Sequence, residues 1–180
     1  MSVTTEWQIV SGTVYSLSER DFAGVVREHE RMVFGIARNM LKEPAAAEEV
    51  SQDVFLELFR QRESIESDEH LTHWLRRVTS NRCIDAIRRR RPTLALEQAP
   101  VLSVAEKVAD PLMAKAVLDG LQTLPAEQRA AITLRYQEEL ALSEIAETLG
   151  LPLSTVKSHL HRGLRKLRAR LETLSRRLAE

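Results

Sequence analysis

Between Leu142 and Gly163 the stretch LSEIAETLGLPLSTVKSHLHRG sets two short amphipathic segments on either side of one glycine, a spacing that few folds accommodate. Ile145, Ala146 and Leu149 recur at the helical period and predict the inner stripe of a first helix. Gly150 falls where the residue past a helix end must adopt the left-handed conformation. Leu151 and Leu153 are expected to fill the corner, and Ser154 or Thr155 to cap a second helix. Val156, Leu160, Leu164 and Leu167 then form its buried face. Helix, short turn with glycine, and helix make a helix-turn-helix unit. In that unit the second helix enters the major groove of DNA and its N-terminal residues meet base edges. The outward residues here are Thr155, Lys157, Ser158, His159, His161 and Arg162. Lys and Arg can pair with guanine, and Ser with any base. Ser154 and Thr155, at a helix start, suit a phosphate. Arg165, Lys166, Arg168 and Arg170 suit contacts that position without specifying. The plain alternative is a three-helix core with an ordinary basic surface.

The rest of the chain keeps the same period. Phe22, Val25, Val26, Val33, Ile36, Ala37 and Met40 predict a first helix from near Ser18, with Asp21 completing a capping-box variant. Glu43-Pro44 ends it, since the residue before proline avoids the α region. Pro44 then sits in the first turn of a second helix that buries Val50, Val54 and Leu58 and runs to about Arg60. Gln61 to His70 reads as a polar loop. A third helix follows from Leu71 to Arg90, with Leu71, Trp74, Leu75, Val78 and Ile87 inward. From Pro92 to Asp110 the apolar residues lose any period, which predicts a flexible linker. Leu112, Leu118, Leu121 and Leu124 suggest one further helix, and Pro125 opens another that carries Ala130, Ile132, Leu134 and Tyr136. Aromatics at 4% and six glycines in 180 residues disfavour a β sandwich. The expected class is all-α, as two small helical domains over 18–91 and 111–174. They are joined by the linker 92–110, preceded by an extension 1–17 and followed by a tail 175–180.

Formal charge is zero overall, but it is segregated. From Glu43 to Glu69 nine acids face two bases, a net of −7. From Arg76 to Arg91 seven arginines face one acid, a net of +6, and from Ser154 to Arg170 six bases stand with no acid. Exposed charges act over a Debye length of about 8 Å in physiological salt, so local balance decides what binds. Two basic surfaces imply polyanion contacts, and the acidic one implies a basic partner. There is no secretory or membrane-spanning apolar run, and membrane insertion is not expected. The one cysteine, Cys83, cannot form an intrachain disulfide, so a cytoplasmic protein is the default. No Gly-rich phosphate loop, nucleophile with a base, or zinc spacing is found, so neither catalysis, nor metal, nor cofactor is expected.

LPAEQRAAITLRY with SEIAETLGLPLSTVKSHLHRGLRKLRARL resembles region four of bacterial RNA polymerase sigma factors, the part that reads the promoter's −35 element. FAGVVREHERMVFGIARNML, AEEVSQDVFLELFR and THWLRRVTSNRCIDAIRRRR resemble region two, in the same order. Size and spacing resemble the extracytoplasmic-function group, the smallest sigma factors. The resemblance implies −35 contacts at Arg135, Ser154, Thr155, Lys157, Ser158, His161, Arg162 and Arg165. It implies −10 contacts and strand opening at Arg76, Arg77, Asn81, Arg82 and Arg88, where a basic groove captures single-stranded DNA. It implies docking on the polymerase core (clamp helices and flap), the clamp through Glu49, Gln52, Asp53 and Phe55. An anti-sigma partner and a monomeric free state are further implications. Three places depart from the family pattern. The 64–71 segment carries Glu66, Asp68 and Glu69 and no base. Glu139 and Ala141 stand where glycine and a Ser or Thr cap are usual, which moves the expected helix start to Ser143. The N-terminal extension has no counterpart.

Two other classes fit part of the pattern. A stand-alone helix-turn-helix repressor would use the C-terminal motif as a dimer, but needs neither the acidic face around Asp53 nor the second basic helix. A pure interaction protein would leave Lys157 and Arg162 without a role.

Overall fold

A computed structural model of the chain describes residues 17, 22–89 and 111–179. All secondary structure among them is helical. The first three helices are α1 (Phe22–Met40), α2 (Pro44–Gln61) and α3 (Asp68–Arg89), with a 3-10 turn, Arg62–Ser64, between the last two. Four more follow: α4 (Pro111–Leu121), α5 (Ala126–Tyr136), α6 (Leu142–Leu149) and α7 (Leu153–Ala179). The Ser18–Asp21 cap, the linker and the extension up to residue 16 lie outside the described residues. Leu17, placed with the extension on sequence grounds, is buried in the core.

In the first domain α1, α2 and α3 close on Val33, Ile36, Ala37, Val54, Leu58, Leu71 and Leu75. Pro44 opens α2 as expected. Met40 ends α1, and the buried Arg38 donates from Nη1 to the carbonyls of Leu41 (3.4 Å) and Lys42 (3.2 Å) just past that end. The expected 61–70 loop is shorter than its composition suggests. Ile65 is buried, and α3 begins at Asp68 rather than Leu71. Ser67 caps α3, its Oγ accepting from the His70 N–H at 3.0 Å. The buried isoleucine pins the segment from one side and the cap starts the helix from the other.

In the second domain α4, α5 and α6 pack on α7 around Ala130, Ala131, Leu134, Ile145, Val156, Leu160 and Leu167. Leu112 does not join them and is 69% exposed. Arg129 is buried on α5, yet it donates to Gln122 Oε1 (2.5 Å), the Gln122 carbonyl (2.8 Å) and the Leu124 carbonyl (2.9 Å). A charged group at that depth is costly unless its donors are matched, and here Nη1 and Nη2 find partners while the buried Nε has none. Burial lowers the Arg129 pKa to about 10, with the neighbouring Cys83 acting the other way. α7 is one continuous helix as far as Ala179, into the stretch expected to be a tail.

The two domains dock on each other. α5 lies against α1 and α3, and α6 against α3.

Candidate nucleic-acid interface

The helix-turn-helix geometry follows from its turn. Gly150 adopts φ 63° and ψ 34°, its N–H donates to the Glu147 carbonyl at 3.2 Å, and the Leu151 N–H donates to the Ala146 carbonyl at 2.9 Å. These bonds close the end of α6 as a left-handed residue past a helix should. The start of α6 does not slip to Ser143. It begins at Leu142, because the Glu144 carboxylate reaches back to accept from the Ala141 N–H at 2.6 Å. That supplies the half of a capping box an alanine cannot. Glu139 occupies the preceding turn at φ 56°, the one non-glycine with positive φ among the described residues.

α7 starts one residue ahead of the expected caps, so Ser154 and Thr155 sit inside its first turn. Thr155 and Val156 bond back to the Pro152 carbonyl at 2.9 and 3.1 Å. Val156 is fully buried, and Leu160 and Leu167 nearly so, which turns one face of α7 inward. Leu153 does not fill the corner and is 42% exposed. The same register exposes Ser154, Lys157, Ser158, His161, Arg162 and Arg165 along one side, with Thr155 and His159 half-buried. The described strip has no acid. Arg135, at the end of α5, is exposed, and its Nη1 donates to the Leu140 carbonyl at 2.8 Å. It is thereby held beside the turn into α6. Gly163 is buried where α7 crosses α5; a Cβ there would meet Ile132 Cδ1 at 2.7 Å.

On α3 the implied −10 residues fall into three settings. Arg77 and Asn81 are exposed. Arg76 donates through Nε to Glu138 Oε2 at 3.1 Å, and Arg88 Nη2 to Glu127 Oε1 at 2.5 Å, so both meet the second domain. Arg82 turns toward α2. Its Nε donates to Glu57 Oε2 at 3.1 Å, its Nη2 bonds the same oxygen, and its Nη1 reaches Asp53 Oδ2 at 3.1 Å. Arg82 therefore stands on the side of the acidic face. Burial pushes the Glu127 carboxyl up, but its backbone bond, Arg88 and the charge of His159 outweigh that and hold it below the usual range.

The acidic face lies along α2. Glu49, Gln52 and Asp53 are exposed and Phe55 is half-buried. Sequence reasoning missed two apolar neighbours, Leu56 (55% exposed) and Phe59 (48%). Phe59 packs edge-on to Phe22 with ring centroids 5.2 Å apart and carries the Arg62 guanidinium 4.5 Å above its ring. Their signal was present: both are apolar at positions the 3.6 period assigns to solvent. Exposed apolar groups beside ordered acids are the anatomy of a protein contact. No group of metal-ligating side chains and no helix long and apolar enough to cross a membrane occurs among the described residues.

Comparison with known proteins bears on both halves. Residues 25–93 match the Sigma-70 region 2 family, and residues 114–167 match the Sigma-70, region 4 family. The chain is similar to the ECF RNA polymerase sigma factor SigW of Bacillus subtilis, with 29% identity over 85% of this chain and 90% of the relative. It is similar to the ECF RNA polymerase sigma factor SigM of Mycobacterium tuberculosis, with 34% identity over 85% of this chain and 76% of the relative. In fold it is similar to the sigma factor RpoE of Bartonella quintana, solved in complex with the anti-sigma factor NepR. That match has a TM-score of 0.69 and 21% identity over 84% of this chain and 97% of the other. It is likewise similar to CnrH, solved with the cytosolic domain of CnrY, at a TM-score of 0.66 and 24% identity over 87% and 92%.

Proposed function

Because the chain belongs to the extracytoplasmic-function group of RNA polymerase sigma factors, we propose that it binds polymerase core and directs it to promoters by reading two DNA elements. Sigma factors are transcription initiation factors, and the chain acts here without catalysis or cofactor of its own. The observation that carries the reading is the exposed, acid-free side of α7 from Ser154 to Arg165. It is presented at a fixed angle by a glycine-closed turn, with Arg135 beside it. That side meets the −35 major groove: Lys157, Ser158, His161 and Arg162 face bases, while Ser154, Thr155, Arg135 and Arg165 position the helix. Arg77 and Asn81 on α3, with Arg76 and Arg88 once free of the second domain, meet the −10 strand. Glu49, Gln52, Asp53 and Phe55 dock on the clamp helices, joined by Leu56 and Phe59. The second domain contacts the flap.

Two fold neighbours are held by protein partners, NepR and the CnrY cytosolic domain. This chain is held in the same manner by an anti-sigma partner in the cytoplasm, and is monomeric when free. The acidic and apolar face of α2 favours this over a stand-alone repressor, which has no use for it. Run-off transcription with purified core on a library of genomic fragments tests the reading. Defined transcripts above core alone are expected, and their absence would refute it.

A further inference from the structure

Arg82 stands between the acidic side of α2 and the exposed side of α3. It follows Asn81 directly on α3, yet its guanidinium is turned to α2. Nε donates to Glu57 Oε2 at 3.1 Å, Nη2 bonds the same oxygen, and Nη1 donates to Asp53 Oδ2 at 3.1 Å. Glu57 is steadied from its other oxygen, since Oε1 accepts from Gln61 Nε2 at 3.2 Å. Asp53 and Glu57 lie one helical turn apart on the same side of α2, where two like charges repel. One guanidinium therefore neutralises the pair. All three side chains keep access to solvent, Asp53 the most at 51%. An ion pair so placed is weak and screened by salt, and a competing cation can displace it. What displaces it leaves a free guanidinium on α3, beside the exposed Asn81 and five residues past the exposed Arg77.

We propose that Arg82 is a shared guanidinium: a basic partner docking on Asp53 and Glu57 displaces it, and the released side chain joins Arg77 and Asn81 as a phosphate contact for an unpaired DNA strand. The step is an exchange of partners. A cation of the docked protein takes the two carboxylates, and Arg82 takes a phosphate, so the charges are paired before and after. Rotation of one long side chain about α3 is enough, and the backbone stays as it is. By linkage the effect is reciprocal: the partner raises affinity for the strand by the same factor as the strand raises affinity for the partner. This rests on the reading of α2 as the face that docks on polymerase core and of α3 as the strand-binding helix. Arg82 is then a positioning residue for the acids in the free chain and a strand contact in the assembled one.

Fluorescence anisotropy of a labelled single-stranded DNA of mixed sequence, titrated with the full chain, reads the release without core. Asp53→Asn combined with Glu57→Gln removes both charges at constant size. It should raise affinity about fivefold at about 50 mM salt and steepen the salt dependence of log K by about 0.7, the value for one more phosphate contact on a single strand. Neither change should appear when Arg82 is alanine. In the parent chain Arg82→Ala should alter affinity by less than about twofold, because the guanidinium is already engaged; with saturating core it should weaken retention of the strand about fivefold. An equal gain and an equal slope with arginine or alanine at 82 would reduce the effect to the field of two lost acids and overturn the exchange. So would a loss from Arg82→Ala of the same size with and without core. Absence of defined run-off transcripts would instead refute the sigma-factor reading, a result separate from the variant cycle on the free chain.

Discussion

Beside the turn at Gly150, the close approach of α7 to α5 at Gly163 helps to set the angle of α7, so Gly163→Ala should damage the second domain in a way that Ile132→Val repairs. An alanine Cβ at 163 lies 2.7 Å from Ile132 Cδ1, while Ile132 Cγ1 and Gln128 Cβ stand at 3.6 and 3.5 Å, ordinary contact distances. The conflict is thus confined to a single methyl group, on an isoleucine that is 5% exposed and has little room to move. Overpacking of this kind costs about 1–3 kcal/mol. Replacing glycine by alanine inside a helix returns about 1 kcal/mol. The single variant should therefore lose up to about 2 kcal/mol of stability. Ile132→Val alone should lose about 0.5–1.5 kcal/mol, the usual cost of one buried methylene. In the valine background the offending atom is gone. Gly163→Ala should then stabilise by about 1 kcal/mol, giving a coupling of about 1–3 kcal/mol between two residues 31 positions apart. Urea unfolding of the four full-length proteins, followed by circular dichroism, measures this cycle. Binding to a −35 duplex should follow the same order, since a shifted α7 misdirects Lys157 and Arg162. If alanine at 163 has the same effect in both backgrounds, to within about 0.5 kcal/mol, the close approach of α5 and α7 does not set the geometry of the unit.

Asp53→Arg should weaken retention of polymerase core in a pull-down while both domains stay folded; undiminished retention would remove α2 as the docking face. Arg82→Ala should speed association with core at low salt by unmasking Asp53 and Glu57, an advantage that added salt abolishes; an unchanged rate with weaker strand binding would return Arg82 to the DNA set. Arg162→Ala should cost about 1–3 kcal/mol at one base position of the −35 element, whereas equal loss over all promoter variants would make it a phosphate contact. Burial raises the Cys83 thiol from 9.0 to about 12, partly opposed by Arg129. Its folded pKa lies above the unfolded value, so the associated stability is complete below pH 9 and is lost as pH rises toward 12. Between pH 9 and 10 the thiol alone should lower stability to urea by up to about 1.4 kcal/mol, a fall that the titration of Arg129 near 10 opposes. Cys83→Ala should remove that part of the dependence, and an equal slope in both proteins would show that the thiol is not sealed in.

The helix-turn-helix was legible because everything that builds it is local. Period, glycine and the buried faces of α6 and α7 fall within one short stretch, and Ile145 and Val156 are both fully buried as their spacing predicts. The class and the two-domain division were legible for the same reason. What failed was long-range or depended on a single side chain. Leu112 and Leu153 fit an apolar period but lie at element starts and stay largely exposed, 69% and 42%. Leu56 and Phe59 break the polar face of α2, and periodicity alone treats such a break as noise. Glu138 and Arg76 are 62 residues apart. Nothing in the pattern of α3 says which of its arginines meets solvent, which meets α2 and which meets the second domain. Charge runs show that a surface is basic; they do not show which guanidinium groups are already engaged.

The segment before α3 illustrates how a charge count misleads when secondary structure is misplaced by a few residues. As an open loop, Glu66, Asp68 and Glu69 would line the path of a DNA strand and repel it. With α3 beginning at Asp68, two of those acids belong to the first turn of a helix of 22 residues. There the unpaired N–H groups and the positive end of the helix dipole favour a negative charge, by about 0.3–1 kcal/mol each. Ser67 caps the same turn, and the Glu66 N–H donates to His70 Nδ1 at 3.3 Å. Part of the negative field of Asp68 and Glu69 is therefore cancelled at close range by the backbone they stabilise. Only Glu66 and Ser67 remain between the buried Ile65 and the helix, too few residues to form a pocket of their own. On the proposed reading, capture of a displaced base falls to the middle of the helix, where Arg77 and Asn81 stand exposed one turn apart on the same side. The acids at the helix start thus help to order the element that carries Arg77 and Asn81.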